Sequence, residues 1–457
     1  MEQDFSVALA IMGLLIIIAI VGLLIWGKVN PIVGMTLIPV IGALLLGFGF
    51  EELQEFFASG ADQVMSVVIM FIFAIIFFGI MQDSGLFNPL VRGMILLTKG
   101  NVVIVAMGTA VIAVFAHLDG AGATTFLLTI PALLPLYKEL NMSKYLLLLI
   151  VSLSAAIMNM VPWGGPMART ASVLDADLNQ LWYPLIPLQI VGLILAIGFA
   201  CFLGFREKKR IAKRVENGEI ERNDNVDVRA IADDFSRRKV EEAEEAEEKP
   251  VKHPAMIWIN LALTVAVVGL MLLDIVPPEF AFMLGVAIAL PINYPNVSDQ
   301  MGRVRAHAPA ALMMAAVILA AGVFLGVMNE SGMLDNIALA MVGILPDTVG
   351  PYIHVIVGIL GVPMDLLTST DAYYFGVLPI VEATASEFGV PAASTAYAMI
   401  IGNVIGTFVS PFAPAVWLAI GLAGANMGTH IKYSFFWIWG FSIVMLFVAY
   451  LMGIFTI

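Results

Sequence analysis

Very little of this chain suits contact with water. Only 12% of its 457 residues are charged, 60% are hydrophobic, and the mean hydropathy is +0.96. A soluble domain of this length needs far more charge to cover its surface. Cysteine occurs once, as Cys201 in an apolar span, so an intrachain disulfide and a cysteine metal cluster are both excluded and the thiol reads as packing. Enzyme signatures are missing as well: there is no GxSxG, HExxH or Walker A sequence, and no nucleophile–base pair stands out. Without a nucleotide-binding module, uphill work has to draw on an ion gradient. Met1-Glu-Gln-Asp-Phe5 lacks the basic n-region and small-residue cleavage site of a secretory signal, so the first apolar span, about 6–26, is expected to remain as a helix. The net charge of −13 fits acidic solvent loops on a membrane protein, and nucleic acid is not an expected partner.

What the chain does have is a succession of apolar windows, each about 18 to 22 residues and long enough to cross a bilayer as a helix. The expected class is an all-α polytopic protein of the inner (plasma) membrane. Residues 205–253 interrupt the pattern with 13 of the 22 Lys and Arg and 14 acidic residues, and read as a solvated, partly helical linker. They separate two stretches of equal length, 1–204 and 254–457, which carry matching motifs. FGIMQDSGL (Phe78–Leu86) matches LGVMNESGM (Leu325–Met333) at an offset of 247; Pro131, Glu139, Val161 and Pro166 match Pro379, Glu387, Val409 and Pro414 at 248. A common register over some eighty positions marks an internal repeat.

Each half reads alike. Three spans come first (6–26, 31–49 and 62–82; then 255–274, 278–292 and 308–329), followed by a short amphipathic segment (84–99; 331–345). Two apolar arms then meet at a small polar tip, DGAGATT (Asp119–Thr125) or TSTDAYY (Thr368–Tyr374). A fourth span (144–161; 392–409) runs into a Pro/Gly break, NMVPWGGP (Asn159–Pro166) or VSPFAP (Val409–Pro414), and a last span (182–204; 432–454) closes the half. If the linker is cytoplasmic and the arms form re-entrant hairpins, each half crosses five times. Lys28, Arg92, Lys99, Lys138, Lys144, Arg303, Arg305 and Lys432 then fall inside and only Arg169 outside. Crossing arms fit the charges less well. An odd number of crossings inverts the halves and leaves both termini outside.

Bare backbone is not tolerated in hydrocarbon, so the two tips and two breaks must line a cavity or another helix. Inverted symmetry brings them together near the midplane, where the N-terminal end of each second arm favours a carboxylate. Thr124, Thr125, Ser369 and Thr370 stand where N-cap hydroxyls are expected, a role compatible with ligand binding. Asp119 and Asp371 are costly at this depth, about 2.5–3.5 kcal/mol on insertion scales, and read either as caps or as cation and proton sites. His117 is a candidate proton relay or simply a hydrogen-bonded imidazole, and Asp365 is a weaker ion-pathway candidate. Arg169 suits bidentate carboxylate binding; the alternative is a salt bridge to Asp175 or Asp177. Trp163, Tyr373 and Tyr374 wall the pocket or sit at an interface.

At these residues the sequence resembles the citrate–divalent-metal/proton symporter family (CitMHS) of the ion-transporter superfamily. The resemblance is carried by LDGAGATTF (Leu118–Phe126), LPLYKELNM (Leu134–Met142), NMVPWGGPMARTA (Asn159–Ala171), LLTSTDAYYFGVLPI (Leu366–Ile380) and GLAGANMGTH (Gly421–His430). They lie in family order and span nearly the whole chain outside the linker. The resemblance implies uptake of citrate with a divalent metal such as Mg or Ca, coupled to protons, by a homodimer with a scaffold and a moving transport domain. It places the hairpin motifs on Asp119, Gly120, Gly122, Thr124 and Thr125, and on Ser369, Thr370, Asp371 and Tyr373. The first break falls on Asn159, Pro162, Trp163, Gly164, Gly165 and Arg169. The second break departs from the family pattern: Ala415 and Val416 follow the final proline of SPxxP where hydroxyl residues are usual, leaving Asn403 and Ser410 as the nearby polar groups. The competing expectation is a sodium/proton antiporter of the same superfamily, which needs the aspartates but no carboxylate-binding arginine.

Overall fold

The structure is a computed structural model that describes residues 5–25, 28–221, 226–245, 255–346 and 348–456. The first four residues, Trp26 at the end of the first expected span, and the linker's 246–253 lie outside the described residues. The regular structure of the described residues is all helix, with no strand. Large apolar side chains face outward: Trp258, Leu45 and Phe436 are each more than 70% exposed, at 71%, 72% and 73%. Such a surface is stable only against hydrocarbon. Among the described residues six helices are long and apolar enough to cross a membrane: Val7–Leu24, Phe50–Asp83, Leu185–Glu216, Ala255–Leu272, Val297–Glu330 and Met427–Leu451. Shorter apolar helices, among them Pro31–Leu45, Pro278–Asn293, Lys144–Met158 and Ala392–Val404, fall where the remaining spans are expected.

The long helices Phe50–Asp83 and Val297–Glu330 lie against each other along most of their length. Glycine makes the approach possible: a Cβ on Gly60 would stand 1.9 Å from Gly322 O, and one on Gly326 would stand 2.0 Å from Phe56 O. Small residues let backbones touch where no hydrophobic effect drives helices together. Further along, the His307 ring covers Gly79, and its Nε2 lies 2.7 Å from the Asp83 carboxylate, with Arg303 at 3.5 Å. Both helices start earlier than the expected spans at 62 and 308.

Two hairpins follow the short amphipathic helices Asn88–Thr98 and Met333–Ile344. The first has arms Val102–Ala116 and Gly122–Glu139, the second Ile353–Ile359 with Gly361–Asp365 and then Ala372–Val377 with Leu378–Glu387. Segment Ala372–Val377 is a widened π-helical turn. Pro379 has no N–H to return to the turn before it, the kind of gap at which helices widen. The fourth spans, Lys144–Met158 and Ala392–Val404, stop in irregular backbone and restart as Gly165–Leu174 and Pro414–Leu422. Proline near each restart (Pro166, Pro414) sits where the missing N–H costs nothing.

The last span of the first half, Leu185–Glu216, continues unbroken into the charged stretch. A second linker helix, Val228–Glu245, buries Ala232 and Phe235 and lies on Asn88–Thr98 and on the second arm of the first hairpin. Arg92 pairs with Asp233 at 2.7 Å, and Arg238 donates to the Pro131 carbonyl at 3.1 Å.

Candidate functional site

The first tip is built from its own short side chains. Asp119 accepts the Ala121 N–H at 2.9 Å and the Thr124 hydroxyl, which closes the turn between the arms. The helix begins at Gly122 with Ala121 as its N-cap, so Thr124 and Thr125 are not caps as expected; they sit inside the first turn. Both hydroxyls bond back to Ala121 O, at 2.8 and 2.9 Å, and no side chain caps the first turn; Asp119 holds the Ala121 N–H just before it. Thr125 also meets His117 Nδ1 at 2.6 Å, which anchors the imidazole to the tip. The other ring nitrogen faces Asn159, and neither His117 Nε2 nor Asn159 Oδ1 has a hydrogen bond of good geometry.

This tip touches both breaks. Gly120 takes a left-handed φ of +69°, and a Cβ there would stand 2.8 Å from Trp163 O. The Trp163 indole N–H donates to Leu118 O at 2.7 Å, strapping the first break to the first tip. The indole otherwise packs on Phe78 and Phe282, so Trp163 is held on both faces. On the other side, a Cβ on Gly122 would collide with the Phe408 ring at 2.5 Å and meet Ala415 at 3.0 Å, both from the second break. Gly164 folds onto Asn159 O, and Gly165 leaves room for the Arg169 guanidinium.

The second tip is tied to the other half. Arg169, on the helix restarting after the first break, reaches Asp371 Oδ1 through Nε at 2.8 Å and Nη2 at 2.6 Å. This corrects the expected local pair. Asp175 ends the Arg169 helix in a left-handed turn, and Asp177 caps the next helix by accepting Gln180 N–H at 2.9 Å. Neither bonds Arg169. The partner 202 residues away was invisible to a reading along the chain. Ser369 does act as a cap, accepting the Ala372 N–H at 3.2 Å, and Thr370 opens the helix beside it. Tyr373 and Tyr374 are fully buried, with Tyr373 donating to Met399 O at 3.4 Å, so they wall the site from within. Ser410 donates to the Asp365 carbonyl at 2.5 Å and Asn403 to Gly361 O at 3.3 Å, so both expected polar groups brace the second hairpin's first arm. Phe408, which edges against His117 and Phe126, escaped notice because one phenylalanine among 28 carries no signal in the sequence.

Tips and breaks therefore come together, with helix N-termini at Gly122 and Gly165, one guanidinium and two tip carboxylates. Such a set offers donors suited to carboxylates and acid oxygens suited to a cation. Among the described residues no group of three or more His, Cys, Asp or Glu gathers to hold a resident metal.

Comparison with known proteins gives the same class. The model of a citrate transporter family, CitMHS, matches residues 21–402. A citrate transporter of Bacillus subtilis is 37% identical over 446 residues, covering 98% of this chain and 99% of that protein. The Mg(2+)/citrate complex secondary transporter of the same organism is 35% identical over 453 residues, again covering 98% and 99%. Among solved structures, the MtrF efflux pump of Neisseria gonorrhoeae superposes with a TM-score of 0.58 at 12% identity, covering 91% of this chain and 84% of that one. The YdaH transporter of Alcanivorax borkumensis gives 0.52 at 13%, covering 89% of each. The distant structures speak for the fold alone. The family match and the full-length relatives decide the class: this multi-pass membrane protein, a transporter and not an enzyme, belongs to the CitMHS citrate transporter family.

Proposed function

We propose that this protein imports citrate, or a closely related di- or tricarboxylate, as a complex with a divalent metal such as Mg or Ca, by proton symport. The observation that carries the reading is the Arg169–Asp371 pair, set between a break in one half and a hairpin tip in the other. A substrate carboxylate that takes the Arg169 fork frees Asp371 to face the metal, so one exchange of partners accommodates both charges of the complex. The helix N-termini at Gly122 and Gly165 offer backbone N–H groups to further carboxylates. Gly120, Gly122, Gly164 and Gly165 keep that backbone uncovered. Asp119, held by Ala121 and Thr124, is the second acid of the site, and His117 with Asn159 lines its floor.

The same reading takes the chain as two inverted repeats of five crossings each, with a re-entrant hairpin and a broken helix apiece. The packing of the two long helices supports it. Gly60 lies against Gly326, and His307 lies against Gly79. Adding 247 converts Gly60 to the position of His307 and Gly79 to that of Gly326, so a two-fold operation exchanges the two contacts. The linker is then cytoplasmic, both termini are outside, and the long helices belong to the scaffold of a homodimer against which hairpins and breaks move as the transport domain.

Radiolabelled citrate uptake into proteoliposomes, with Mg, Ca or no metal and with imposed pH gradients, tests the function. Accumulation is expected only with metal and a proton gradient directed the same way as citrate. Sodium/proton exchange indifferent to citrate, with no citrate accumulation under any metal condition, would establish the antiporter and sink this proposal.

A further inference from the structure

One carboxylate of the hairpin region has no hydrogen bond of good geometry and no ion pair. Asp365 ends the first arm of the second hairpin and is fully buried, and neither Oδ1 nor Oδ2 has a hydrogen bond of good geometry. The second break leaves it room by being glycine at the nearest point: a Cβ on Gly406 would stand 2.3 Å from Asp365 Oδ2. The Asn403 side chain faces it, and Asn403 Oδ1 is itself buried without a donor. The titratable groups within electrostatic reach are Tyr373 and Tyr374 of the second arm. Among the described residues no cation of the neighbouring helices Ile353–Ile359, Ala392–Val404 or Met427–Leu451 acts on it.

An ionised carboxylate in that buried place has no well-placed donor and no counter-charge, a combination costing several kcal/mol. A protonated carboxyl removes the charge, and its O–H supplies the donor that Asn403 Oδ1 lacks. The two tip aspartates differ on this point. Asp119 accepts two hydrogen bonds, and Asp371 is paired with Arg169. The opposite half repeats the position: at an offset of 248 Asp365 corresponds to His117, also fully buried at the end of a first arm, also facing an asparagine, with Nε2 unpartnered.

We propose that Asp365 carries the coupling proton: its carboxylate takes one proton from water on the side of entry, crosses as the neutral acid beside Asn403, and returns the proton on the other side. The inference rests on the symport reading above. It assigns the proton to the second hairpin's first arm, away from the carboxylate-binding groups at the tips.

The test uses the full-length reconstituted protein and Asp365→Asn, an isosteric change that stays neutral. Infrared difference spectra of wild type against variant, in light and heavy water, report the C=O stretch of a protonated carboxyl. That band is expected in wild type and missing from Asp365→Asn. In proteoliposomes the variant is expected to retain Mg–citrate counterflow and to lose accumulation driven by a pH gradient. A band that persists unchanged in the variant, or gradient-driven accumulation with wild-type pH dependence, overturns the assignment. If Asp365→Asn does not insert, Asp365→Glu is read in its place: a moved band and a displaced pH profile support the proposal, and both unchanged overturn it. Wild-type protein that shows no citrate counterflow sinks the substrate reading alone, because the infrared arm still decides the protonation of Asp365.

Discussion

The two hairpin tips solve the same problem in opposite ways. Each must end one helix and begin another among apolar helices without leaving polar backbone bare. The first does so from within: Asp119 bonds Ala121 and Thr124, Thr125 holds His117, and glycine gives the turn its left-handed step. The second leans on the other half: its Asp371 is held by Arg169, 202 residues away. The first tip meets the other half through apolar contacts of Gly122 with Phe408 and Ala415. A tip held by a cross-half ion pair changes its energy whenever the halves move or a ligand competes for the pair. The second tip is thus the one whose state depends on the rest of the molecule, and the unpartnered Asp365 lies on the same hairpin.

The contrast is broken most severely at Arg169. Arg169→Ala strands the Asp371 carboxylate, whose side chain is only 15% exposed, and removing one partner of a buried pair costs about 3–5 kcal/mol. Chemical unfolding of the purified protein should show this loss, and Arg169→Ala/Asp371→Ala should recover most of it. A double variant no more stable than the single one would mean that Arg169 acts through packing, over Phe375 for instance, with the pair incidental.

The first tip is probed by Gly120→Ala, which adds a Cβ where the backbone is left-handed and Trp163 O stands 2.8 Å away. The conformational part alone costs about 1–2 kcal/mol. A lower unfolding temperature with slower citrate uptake is expected, and an unchanged transport rate would show that the strap to Trp163 plays no part in the cycle. The smallest effect belongs to Ser369→Ala, which removes the hydroxyl capping Ala372 at 3.2 Å and costs about 1 kcal/mol by analogy with other caps. Because the Arg169–Asp371 pair remains, stability should fall slightly and citrate affinity hold. A loss of affinity comparable to that of Arg169→Ala would make Ser369 a substrate ligand in its own right.

Much of this was legible along the chain. Apolar windows, the matched motifs and the two Pro/Gly breaks placed the helices closely, because in a bilayer every span must satisfy its own backbone and the sequence has to declare it. Boundaries outside the bilayer were less legible: Phe50–Asp83 and Val297–Glu330 start early, and Leu185–Glu216 runs on into the charged stretch, since water tolerates either helix or coil there. Thr124 and Thr125 looked like caps because threonine favours that position. The helix instead starts at Gly122 with Ala121 before it, which leaves both threonines inside the first turn, bonded back to Ala121 O.

The sequence by itself determined a helical membrane protein with two hairpins, two breaks, an arginine after the first break and an aspartate at each tip, because composition, period and turn chemistry are local properties. Only the tertiary structure decided which charges answer one another. Arg169 has Asp175 and Asp177 close by in sequence, yet the first ends a helix and the second caps one, leaving Asp371 as its partner. Asp365 is only a weaker ion-pathway candidate in the sequence until the fold buries it without a well-placed donor or a cation. Pairing and burial depend on distance in space, which the order of residues does not state.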